Sequence, residues 1–101
     1  MTPDEARALA LSLPGVFEAD HHGFPSFRAG ARLRILATLP TADVLRVMLD
    51  EGGIREAEAQ WPWCSEGWWG RRLATVEVRL ADADPDAVAG LLEEAHARAT
   101  G

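Results

Sequence analysis

The chain has no lysine: all ten of its Lys+Arg residues are arginine. Every side-chain cation outside histidine is therefore a planar fork suited to phosphates and carboxylates. There is one cysteine, Cys64. That excludes an internal disulfide and favours a reducing compartment, the cytosol. No run approaches the roughly 20 apolar residues of a membrane span, so no membrane partner is expected. Met1 is followed by Thr2-Pro3-Asp4-Glu5, a helix start and not the basic, apolar opening of a secretory leader. Internal repeats and low-complexity segments are absent. Gly15, Gly23, Gly30, Gly52, Gly53, Gly67 and Gly70 serve turns, and none belongs to a phosphate loop or a dinucleotide fingerprint. No Ser/His/Asp order and no nucleophile elbow is recognisable, so no catalytic residue and no cofactor is assigned.

What is present is one domain spanning residues 1–101, with 48% apolar residues. That is enough to bury a core without a metal or a disulfide staple. The formal charge is −6, but the two signs are segregated. Between Gly23 and Leu49 stand Arg28, Arg32, Arg34 and Arg46 with a single acid, Asp43. The remaining acids crowd the apparent helices and connectors. An acidic protein can in this way carry one positive face.

Helix signals bracket the chain. Thr2 as N-cap, Pro3 at the first helical position and Glu5 form a capping box, followed by the apolar face Ala6, Leu9, Ala10 and Leu13. Pro14-Gly15 ends that helix. Asp84-Pro85 opens the last one, whose buried stripe is Val88, Leu91, Leu92, Ala95 and Ala99. Between them the period is mostly two. Val16 to Asp20, Ser26 to Arg28 and Ala31 to Leu39 read as strands. In the third, Leu33, Ile35, Ala37 and Leu39 point one way and Arg32, Arg34, Leu36 and Thr38 the other. Val44 to Leu49 also fits helical spacing, but it is short, β-branched and bounded by turns, which favours a strand. Glu51 to Gln60 predicts a short helix capped by Asp50 and weakened by Gly52-Gly53. Trp61 to Gly70 reads as an irregular connector. Leu73 to Leu80 is the strongest strand, with Ala74, Val76, Val78 and Leu80 inward. The fold class is α+β: a one-sided antiparallel sheet with the N- and C-terminal helices on one face. The other face, bearing Arg32, Arg34, Arg46, Thr75, Glu77 and Arg79, is expected to meet water.

Four segments, in their order and spacing, carry a resemblance. They are TPDEARALALSLPG from Thr2, FPSFRAGARLRILATL from Phe24, VLRVMLDE from Val44 and WGRRLATVEVRLADADPDAVAGLLEEA from Trp69. The chain resembles the MmcQ/YjbR family of small bacterial proteins over nearly its whole length except Gly52 to Trp68. The resemblance implies a fold like that of the frataxin/CyaY group, with a double-wing arrangement, and DNA as the partner. Members often carry lysine where Arg28 and Arg32 stand here, and an aromatic where this chain has His96.

Three groups of residues are candidates for function. Arg32, Arg34, Arg46 and Arg79 would meet phosphates from the open sheet face, with Arg28 beside them and Arg71 and Arg72 on the approach to the last strand. Against this stand pairing to Glu77 and a pI near 4.9. Trp61, Trp63, Trp68 and Trp69 fall within nine positions. Exposed, Trp61, Trp63 or Trp68 would serve a small ligand, a protein partner or a homodimer. Buried, the four rings would plug the edge of the core, Trp69 first. Glu18, Asp20, His21 and His22 could offer metal ligands, but one strand supplies at most three and no second cluster has matching spacing, so no metal is assigned. Cys64 paired with His21 or His22 lacks any activating turn.

Overall fold

The computed structural model describes residues 1–101. The elements run α1 (Pro3–Leu11), β1 (Phe17–His21), β2 (Phe24–Ala29), β3 (Arg34–Thr38), β4 (Val44–Met48), α2 (Glu51–Gln60), β5 (Cys64–Trp69), β6 (Arg72–Arg79), a 3-10 turn (Leu80–Asp82) and α3 (Pro85–Thr100). The strands form one six-stranded sheet in the order β1-β2-β3-β4-β6-β5. Every neighbouring pair is antiparallel. The fold is α+β, with N- and C-terminal helices on an open sheet.

The helix ends form where the side chains supply caps. Thr2 Oγ1 accepts from Glu5 N at 3.1 Å, and Glu5 Oε1 accepts from Thr2 N at 3.0 Å. These two bonds satisfy donors that the first turn would otherwise leave orphaned. The same bonding holds the Glu5 carboxyl below its usual range. Asp84 accepts from Ala87 N at 3.0 Å at the start of α3. Asp50 accepts from Gly53 N at 2.7 Å and carries α2 through its glycine pair. The α3 stripe Val88, Leu91, Leu92, Ala95 and Ala99 is buried as its spacing predicts. His96 Nε2, in its N–H form, donates to Pro14 O at 2.7 Å and ties α3 to the end of α1.

Register defines the two faces, because directly paired antiparallel residues share a side. Phe27, Ala37, Val47 and Val76 line up across β2, β3, β4 and β6. All four are fully buried and belong with Ile54 of α2 and Val88 and Leu92 of α3 to one core. Fully burying a side chain such as Phe27 or Val47 contributes roughly 1.5–3 kcal/mol. On the opposite face Ser26, Thr38, Arg46, Glu77 and Ser65 form a row across five strands.

Several expectations need correction. Phe27 pairs with Ala37 but Arg28 with Ile35, so Leu36 is an extra residue, a β-bulge. The bulge reverses the alternation of β3. Leu36 is buried in the core and not exposed beside Arg34, and Arg34 shares the side of Ala29. β3 begins only at Arg34, because Gly30 to Leu33 make the turn, with Leu33 at φ 51. Trp61 to Gly70 is not irregular: Cys64–Trp69 is the edge strand β5. Thr75 is not in water either. It is fully buried on the open face, and its hydroxyl has no hydrogen-bond partner.

Candidate anion-binding cleft at the end of the sheet

Five ion pairs engage Arg7, Arg46, Arg55 and Arg79. Arg46 Nε lies 3.2 Å from Glu77 Oε2, directly across the β4–β6 pairing. Arg79 Nε lies 2.6 Å from Asp82 Oδ2, and its Nη2 donates to Pro62 O at 3.3 Å. Arg28, on the open face, donates to Ser26 Oγ at 3.1 Å. Three of the seven arginines singled out from the sequence are thus occupied on or beside the open face. The other four, Arg32, Arg34, Arg71 and Arg72, are exposed and in no ion pair.

These four gather at one end of the sheet. Antiparallel pairing places the start of β3, the end of β4, the end of β5 and the start of β6 together. β3 and β4 pair through only two positions, Ala37↔Val47 and Thr38↔Arg46. Beyond them a cleft of about 330 Å³ opens. Its lining comes from β3 (Arg34, Ile35), β4 (Met48), β5 (Trp69), β6 (Arg72) and the end of α3 (Ala95, Arg98, Ala99). The two alanines leave the space that larger helix residues would fill. Arg32 and Arg34 also line an adjoining hollow of about 260 Å³ against Ala99, Thr100 and Gly101. Arg71 sits in the turn between β5 and β6, next to Arg72.

Electrostatically the cleft is one-signed. Arg34, Arg72 and Arg98 line it, and no carboxylate does. The carbonyl end of α3 opposes them with roughly half an elementary charge. Three guanidinium charges outweigh it. Unpaired like charges in one concavity repel, and an anion entering it relieves that repulsion while accepting forked hydrogen bonds.

Arg98 escaped the sequence reading, which used the last helix only for its caps and its apolar stripe. The available signal was its place beside Ala99, flanking the buried stripe in the last turn. Trp69, expected first in the core, is 39% exposed and walls the cleft, and Trp68 is 50% exposed. Trp63 is buried and Trp61 half-buried. Their rings stack with centroids 5.3 Å apart and planes at 22°. The four tryptophans therefore divide, with one pair sealing the core and the other facing outward.

His21 and His22 lie far from Cys64. β1 and β5 are opposite edges of the sheet, so five strand spacings, about 24 Å, separate them. His21 packs edge-on against Phe24 with ring centroids 5.4 Å apart. His22 leaves the strand at φ 54. Glu18 pairs with Arg7. No three His, Cys, Asp or Glu side chains come together as a metal site would require. Burial pushes the Cys64 thiol up to about 11. No helix is long and apolar enough to cross a membrane.

Comparison with known proteins returns no family model, no curated protein and no solved structure that matches the chain.

Proposed function

We propose that this domain is a non-enzymatic binding module of the cytosol that holds the phosphates of a nucleic acid. DNA is the partner implied by the resemblance to the MmcQ/YjbR family. The observation that carries the reading is the set of arginines without acidic partners at one sheet end: Arg32, Arg34, Arg71 and Arg72, joined by Arg98. Arg28 stands at the margin, and Arg46 and Arg79 would join only by giving up Glu77 and Asp82. With a formal charge of −6, long-range attraction to a polyanion is poor, so binding rests on local contacts and is modest in strength. Fluorescence anisotropy with labelled duplex and single strand, from 50 mM salt upward, tests this. About four phosphate contacts give a log–log salt slope near −4 on duplex and near −3 on a single strand. Arg32→Glu with Arg34→Glu should weaken binding at least about tenfold. No binding at 50 mM salt, or binding untouched by that double change, rejects the reading.

A second reading uses the exposed tryptophans Trp68 and Trp69 as a protein or homodimer contact. Native mass spectrometry and light scattering address the homodimer; a strict monomer at high concentration rejects it.

A further inference from the structure

We infer that the cleft takes one unpaired nucleotide, its base against Trp69 and its phosphate among Arg34, Arg72 and Arg98. The inference rests on the phosphate-binding reading and says what occupies the concave part of that surface. An arginine patch that only tracked a duplex backbone would need no hollow. Here the arginines surround one of about 330 Å³, at the low end of the range for small-molecule sites. Its walls are half apolar: Ile35, Met48 and an indole stand beside the guanidiniums. Arg72 is the direct cross-strand partner of Trp69, so charge and ring lie side by side on one surface. A bare inorganic anion would leave the apolar wall unused. A neutral ring would leave the charges unanswered. A phosphate joined to a flat base satisfies both, and a base sealed inside a duplex cannot enter.

That chemistry has two sources, a free nucleoside monophosphate and an unpaired residue of a strand. Titrate the full chain with a 5′-nucleoside monophosphate, a 12-nucleotide single strand and the same strand annealed, following anisotropy and tryptophan emission. The expected result is tighter binding of the single strand than of the duplex, with quenched emission. Trp69→Ala should lower single-strand affinity by about 5- to 150-fold, the range for a lost base stack, and leave duplex binding and its salt slope unchanged. Trp69→Phe should restore most of the loss, which separates stacking from a folding defect. Equal affinity for duplex and single strand, with Trp69→Ala neutral, overturns the inference and leaves the phosphate reading standing. Monophosphate binding that needs Trp69, without binding of either polymer, supports the cleft and overturns the polymer reading.

Discussion

Gly30→Ala probes the contact that positions the cleft. Gly30 lies in the β2–β3 turn at φ +83, and a Cβ there would stand 2.5 Å from Ala99 O and 3.3 Å from Ala99 C. Both atoms are backbone, so no side chain can rotate away. Two costs add. An L-residue held in the left-handed region costs roughly 1–2 kcal/mol, less about 0.4–1 kcal/mol for the stiffer unfolded chain. The clash is relieved most cheaply by lifting the last turn of α3. That gives up the burial of Ala99, about 1 kcal/mol for a methyl group, together with the last helical bonds. The expected loss is roughly 2–3 kcal/mol, or a fall in Tm of roughly 10–20 °C. The matched control is Gly23→Ala, at φ +92 with nothing within 4 Å. It carries only the backbone cost, a fall of roughly 4–8 °C or less. Thermal unfolding followed by circular dichroism measures both. Should the two variants melt together, the β2–β3 turn is not seated against α3 and the architecture of the cleft is wrong. Because Arg98 and Ala99 line the cleft, Gly30→Ala should also weaken nucleotide binding more than Gly23→Ala does.

Thr75→Val should stabilise the protein by roughly 1 kcal/mol, since it removes a buried hydroxyl without a partner and keeps the side-chain shape; urea unfolding at unchanged m-value checks it, and a loss of stability would mean that the hydroxyl is bonded after all. Cys64 should react slowly with a thiol reagent at pH 8 in the native protein and at once in denaturant. Its folded pKa, about 11 against an ordinary 9.0, favours the neutral thiol. The stability it supports is complete below about pH 9 and is lost as pH climbs through 11. Cys64→Ala should lack that alkaline loss, and rapid native labelling at pH 8 would contradict the burial argument.

The three helices were legible because their signals are local. Thr2 with Glu5, and Asp84 with Pro85, lie within one turn of what they cap. β6 was legible for a similar reason, its alternation being long enough to outlast noise. β5 was not. Ser65-Glu66-Gly67 has weak strand preference, and the segment is held extended by pairing with β6 along its whole length. The bulge at Leu36 is a single inserted residue, and one insertion reverses a period of two without changing composition. Leu36 on a side assigned to water was the only hint.

The cleft was the least legible part, and register explains why. The sequence shows ten arginines and sixteen acids, but pairing decides which charges cancel. Arg46 meets Glu77 because β4 and β6 align at that position. A shift of one residue would turn Glu77 to the core side and leave Arg46 free. Arg34 reaches the cleft because the bulge turns it from the open face toward α3. Arg72 and Trp69 arrive there together through the β5–β6 hairpin. Arg98 comes from a helix read only for its apolar stripe. Charge segregation along the chain pointed to a positive surface, and the local charge counts behind it were sound. What they could not contain was the subtraction that register makes when it sets Glu77 against Arg46 on the open face, and the unanswered charge it leaves at the end of the sheet.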